Sequence, residues 1–165
     1  MKNKVNLGSE MFEDFLMDNV DVDNMVKFVL PSYSENEKVA RNLIASFLVD
    51  KNPTIEELND IKTAVSEAVT NSIVHGYQKQ NNGDIEIFVK VKDNYVFVRI
   101  VDYGKGIDDI KQAMQPFFTT LADEERSGMG FTVMETFMNN VFVENGTENK
   151  GLVVSMMKIL SGDGE

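Results

Sequence analysis

The chain has 165 residues, 42% of them hydrophobic and 26% charged, with a formal net charge of −11; the length suits one domain with a core of ordinary size. The absence of cysteine excludes disulfides, thiolate metal sites and Cys nucleophiles, and the single histidine, His75, excludes multi-His metal sites. With 27 acids against 16 bases the chain is a poor ligand for nucleic acid, no apolar run approaches the ~20 residues of a membrane span, and Met11-Phe12-Glu13-Asp14-Phe15 is too acidic and interrupted for a signal peptide, so a reduced, cytoplasmic location is expected.

Residues 1–24 carry six acids and read as an acidic extension, solvated or partly disordered. A short amphipathic helix over Glu10–Met17, with Met11, Phe12, Phe15 and Leu16 on one side, is the other option. Met25–Leu30 alternates as a strand, with Val26, Phe28 and Leu30 on one face. Ser34-Glu35-Asn36-Glu37 has the spacing of a capping box and opens a helix to about Asp50, with the apolar stripe Val39, Leu43, Ile44, Phe47 and Leu48. Pro53-Thr54, with Glu57 three residues on, starts a longer helix ending near His75-Gly76. Ile85, Ile87, Val89 and Val91 alternate with polar and aromatic residues, Asp93-Asn94 turns the chain, and Tyr95–Val101 returns as a strand apolar on both faces, hence central. Phe131–Met138 is expected to be helical, and Val141–Glu144 with Leu152–Met157 to form a last hairpin. The fold class is α+β: a two-layer α/β sandwich of one mixed, mostly antiparallel sheet with helices on one face. The domain spans 25–160, followed by a tail at 161–165.

Three polar constellations carry possible chemistry. On the long helix, Glu67, Asn71 and His75 at i, i+4 and i+8 fall within about 80° of one another. Such a carboxylate can orient or deprotonate a hydroxyl and the carboxamide oxygen can ligate Mg²⁺; the same residues also suit a solvated helix face, and His75 suits a helix C-cap. Asp102-Tyr103-Gly104-Lys105-Gly106 follows an apolar strand, where a carboxylate and two glycines could receive a flat ligand bearing an amine, or simply turn the chain. Arg126-Ser127-Gly128-Met129-Gly130-Phe131 leads into a helix whose first N–H groups could face phosphate. Between the glycine pairs, Pro116-Phe117-Phe118-Thr119-Thr120-Leu121-Ala122-Asp123 reads as a lid or as a plain surface loop.

In this order the motifs resemble the GHKL ATPase superfamily. The segments Ser66–Tyr77, Gln115–Thr120 and Glu125–Phe131 are similar to those of the sporulation anti-sigma F factors, a family of serine kinases, over about Met25 to Leu160. The resemblance implies the GHKL (Bergerat) fold and binding of ATP or ADP with Mg²⁺. It implies Glu67 as general base, Asn71 as Mg²⁺ ligand, and Asp102 as reader of the adenine amine beside Gly104 and Gly106. Thr119, Thr120, Arg126 and Ser127 fall in the lid, with Arg126 catalytic, and Gly128, Met129, Gly130 and Phe131 at the phosphate-facing helix start. Partners implied are a sigma factor, an anti-anti-sigma (STAS-type) protein phosphorylated on serine, and a second copy in a homodimer; Glu37 and Arg41 are the implied partner contacts. A stress-response anti-sigma kinase and an ATP-gated sigma-binding module without turnover are the alternatives. Gly151-Leu152 departs from the family's Gly-Thr, removing a hydroxyl near the adenine.

Overall fold

The structure, a computed structural model, describes residues 4–115, 130–149 and 151–162, with backbone alone for 4–7 and 149. A five-stranded sheet in the order β1-β2-β3-β5-β4 is built from β1 (Asn24–Pro31), β2 (Asp84–Lys92), β3 (Tyr95–Asp102), β4 (Asn140–Asn145) and β5 (Leu152–Ile159). All four pairings are antiparallel, so the sheet is not mixed among the described residues. Its alternation is that of the sequence: Ile85, Ile87, Val89 and Val91 are buried between partly exposed neighbours. β3, apolar on both faces, lies centrally between β2 and β5.

Helices α2 (Asn36–Leu48), α3 (Ile55–Asn71) and α5 (Gly130–Phe137) cover one face, and a single turn, α4 (Ile110–Ala113), stands between β3 and α5. Ile44, Leu48, Ile61, Val65, Met134 and Met156 are fully or almost fully buried in this layer. The sandwich is as expected, with three local differences. The Ser34 capping box does not form; Glu35 takes the N-cap position in helical conformation, with Glu37 N–H on the Ser34 carbonyl, Asn36 N–H on that of Tyr33 and the Asn36 side chain on that of Pro31. In α2 the buried residues are Ala40, Ile44 and Leu48, whereas Val39 and Leu43 are exposed: the seam with α3 is narrower than the apolar stripe. Finally, the N-terminal segment is not simply solvated. It carries α1 (Lys4–Leu16), which packs Phe12 and Phe15 on Tyr95, Phe97 and Met157, the face of the sheet turned away from α2, α3 and α5, so helices lie on both faces.

Candidate functional site

The long helix is started by the sequence itself. Thr54 Oγ1 accepts from Glu57 N–H at 3.1 Å and Glu57 Oε2 accepts from Thr54 N–H at 2.9 Å, a complete capping box. Ile61, Ala64, Val65, Ala68 and Val69 bury one side of α3, which leaves Glu67 and Asn71 half-buried at its edge. There they meet the first residue of α5. A Cβ on Gly130 would stand 3.1 Å from Asn71 Nδ2 and 3.3 Å from Glu67 Oε2, so any other residue would push the acid–amide pair back from the helix N-terminus by a few tenths of an ångström. The positive end of α5 therefore faces a carboxylate and a carboxamide across a narrow gap.

At Ser72 the α-helix gives way to a wider π turn over Ser72–Gly76, closed by Tyr77 N–H on the Ser72 carbonyl at 2.9 Å. The wider turn ends the 100° step that Glu67 and Asn71 share. It brings Gly76 against Asp102 instead: a Cβ there would lie 3.0 Å from Asp102 Oδ1.

Asp102 ends β3 and is 2% exposed. Burial pushes its carboxyl group above the ordinary range, while hydrogen bonds from Gly104 N–H, Ser72 and the Leu152 amide pull the other way. The Gly104 bond is 3.0 Å long, and the Ser72 hydroxyl lies between this carboxylate and the Ala68 carbonyl, 3.3 Å away. Leu152 reaches Asp102 through its main chain because the two are cross-strand partners; its own side chain is in the core. The loop after Asp102 is packed backbone to backbone. A Cβ on Gly104 would fall 2.1 Å from the Gly76 carbonyl oxygen, and one on Gly151, at φ +77, 2.0 Å from that of Asp102. Gly106, at φ 71, turns the loop in the left-handed region. Asn145 then holds it, accepting from Ile107 N–H at 3.0 Å and donating to the Ile107 carbonyl at 2.9 Å.

Of the residues singled out from sequence, Glu67, Asn71 and Gly130 converge, and Asp102, Gly104 and Gly106 form a second group further along. The two groups are linked by α3 and its π turn, about 13 Å from Glu67 to Gly76 at helical rise. Phe131 is on α5, but its side chain is 8% exposed and belongs to the core, leaving its main chain at the helix start. Thr119, Thr120, Arg126, Ser127, Gly128 and Met129 lie outside the described residues. Glu37 and Arg41 are one turn apart on α2 with Nε 3.5 Å from Oε1, and Arg41 Nε is buried without a hydrogen bond. Sequence reasoning missed Ser72, Gly76, Gly151 and Asn145 as shapers of the Asp102 group. Ser72 and Gly76 stood inside the Ser66–Tyr77 motif, whereas Gly151 and Asn145 act only through contacts distant in the chain.

Among the described residues no helix is long and apolar enough to cross a membrane. The family model of the histidine kinase-like ATPase domain matches residues 30–158. Anti-sigma F factor from Thermoanaerobacter sp. (strain X514) is 49% identical over 144 residues, which is 87% of this chain and 99% of that protein. The protein of the same name from Clostridium botulinum (strain Eklund 17B / Type B) is 51% identical over 136 residues, 82% of this chain and 94% of that one. Among solved structures, the RsbU and RsbW domains of Rv1364c from Mycobacterium tuberculosis superpose with a TM-score of 0.58 at 16% identity, over 83% of this chain and 32% of that one. The catalytic domain of histidine kinase ThkA gives 0.53 at 19% identity, over 83% and 96%; at such identities these two speak for the fold. The glycine-spaced meeting of α3 and α5, the buried strand-end aspartate and the near full-length identity agree: the chain belongs to the anti-sigma F factor family, within the histidine kinase-like ATPase domains.

Proposed function

We propose that this protein is an anti-sigma factor that sequesters a sporulation sigma factor and uses Mg-ATP to phosphorylate a serine of an anti-anti-sigma protein of STAS type, working as a cytoplasmic homodimer. The observation that carries the reading is the close approach of Gly130 to Glu67 and Asn71, since phosphoryl transfer asks a protein chiefly for positioning and charge neutralisation. The family supplies the partner class.

The residues present fit the nucleotide. The bare Cα of Gly130 leaves room beside the acid–amide pair that a side chain would fill. At the other end a buried carboxylate already accepts from Gly104, Ser72 and Leu152 among the described residues, the acceptor chemistry that an exocyclic amine needs. Bound ATP supplies the phosphoryl group, with Mg²⁺ neutralising its charge. In this reading the Asn71 carboxamide oxygen would hold Mg²⁺, a hard ligand for a hard cation. The Glu67 carboxylate orients the serine hydroxyl and accepts its proton. N–H groups of Gly130 and Phe131 at the start of α5 face phosphate oxygens, a role the family pattern also gives to Gly128 and Met129. Asp102 accepts from the adenine amine in a pocket shaped by Gly104 and Gly106, while Thr119, Thr120, Arg126 and Ser127 close over the phosphates. Glu37 and Arg41 contact protein partners.

The test is transfer of labelled phosphate from ATP to the anti-anti-sigma protein. Glu67→Ala and Asn71→Ala should each abolish it with circular dichroism unchanged; transfer retained in either variant overturns the assigned roles. Single-turnover transfer absent from the native protein would favour the binding module without turnover.

A further inference from the structure

Helix α1 precedes the matched family region, which begins at residue 30, and sits on the sheet face opposite the α3–α5 gap. Phe12 and Phe15, three residues apart and so on one side of the helix, are 7% and 1% exposed. With Tyr95, Phe97 and Met157 they form a hydrophobic cluster separate from the main core. The Phe15 ring stacks on that of Phe97 with centroids 4.7 Å apart. Gly8 allows the helix to lie close, since a Cβ there would be 3.1 Å from Ile159 Cδ1.

The polar half of the contact is directional. Arg99 donates through Nη2 to the Phe15 carbonyl and through Nη1 to Asp18 Oδ1, both at 3.0 Å, and its guanidinium lies 4.6 Å from the Phe15 ring centroid. Lys90 Nζ is 3.6 Å from Asp18 Oδ1. Thus Lys90, Phe97 and Arg99, neighbours on one sheet face through the β2–β3 register, form a cationic and aromatic patch on a protein of net charge −11. The element covering it comes from the acid-rich 1–24 segment. A helix of 13 residues with an internal glycine is marginal alone, so its packing on this face supplies most of what holds α1 helical, and that packing is separate from the main core.

We propose that this face is a binding site for acidic amphipathic helices that carry aromatic residues three apart, and that α1 occupies it in cis as a displaceable pseudo-ligand. A partner helix of that chemistry reaches Phe97 and Arg99 only when α1 leaves, so α1 lowers its apparent affinity by the fraction of time the face is open. The proposal does not depend on the kinase reading, because none of its residues borders the α3–α5 gap.

The probe is a fluorescent peptide of residues 4–23, titrated into the full chain and into the full-chain Phe12→Ala/Phe15→Ala variant. The variant should bind it at least tenfold more tightly than the native protein, and adding Arg99→Ala should remove at least tenfold of that affinity. Equal binding by both proteins, no saturable binding by the variant, or indifference to Arg99→Ala overturns the proposal. Hydrogen exchange of the native protein tests the same point should the variant fail to fold. Amides of residues 12–16 should exchange at least a hundredfold faster than those of β3, and equal protection would show a helix that does not leave.

Discussion

Lys158 on β5 places its ammonium 2.9 Å from Asp60 Oδ2 on α3, and the same group donates to the Phe137 carbonyl at 2.7 Å, at the end of α5. One cation therefore ties the helix bearing Glu67 and Asn71 to the helix that begins at Gly130. Both side chains are mostly covered, at 15% and 19% exposure, so removing one partner strands the other. Lys158→Met is expected to cost about 2 kcal/mol, or about 6 °C in melting temperature for a chain of this size. Asp60→Ala should add little on top of it, a non-additivity readable in a double-mutant cycle by calorimetry.

Gly130→Ala places a methyl group against Asn71 and Glu67 at contacts of 3.1–3.3 Å. The helix keeps its propensity, since alanine is the better helix former, so the fold should persist while the gap narrows. The expected result is an unchanged or slightly raised melting temperature with at least tenfold weaker ATP binding in isothermal titration. Gly104→Ala is the opposite case, because its methyl would collide with backbone, 2.1 Å from the Gly76 oxygen, and should cost several kcal/mol of stability.

Asp102 has a folded-state pKa raised mainly by burial. A carboxyl raised on folding binds its proton more readily in the native than in the unfolded chain. Its contribution to stability is therefore greatest at acid pH, and falls as pH climbs from the ordinary carboxylate range through the raised value. Asp102→Asn should remove that slope from melting curves taken across mildly acidic to neutral pH. In the native protein, protonation also takes away an acceptor, so ATP affinity should fall as pH drops through the same window, and the variant should bind weakly at every pH.

Thr54→Ala removes a formed capping box and is expected to cost about 1 kcal/mol in urea unfolding. Ser34→Ala, at the same sequence spacing, should be neutral within about 0.5 kcal/mol, since no side-chain cap forms at the start of α2.

Thr54 and Ser34 show how far the sequence could be read. Both begin the same pattern, but only at Thr54 does the hydroxyl accept from the N–H three residues on; at α2 Glu37 N–H turns to the Ser34 carbonyl at 3.4 Å, while Asn36 is held by the Tyr33 and Pro31 carbonyls. Likewise the alternation of Ile85, Ile87, Val89 and Val91 predicts the buried face of β2 correctly, because a strand has two faces and one was wholly apolar. The stripe on α2 predicts Val39 and Leu43 as core and they are not, because how much of a helix is covered depends on its neighbour. The Phe12 and Phe15 pair is visible in the chain, yet charge made the segment read as solvated; Arg99 and Lys90, more than 70 positions away, supply the countercharge.

What the chain determines by itself is local: the periodicities that place five strands and the main helices, the Thr54 start of α3, and the chemical inventory of Glu67, Asn71 and Asp102. Only the tertiary structure decides that Gly130 abuts Asn71, that Gly76, Gly104 and Gly151 wrap one buried carboxylate, and that α1 covers the second face of the sheet. Those are close approaches between remote parts of the backbone, and their energies turn on a few tenths of an ångström that no spacing along a sequence encodes.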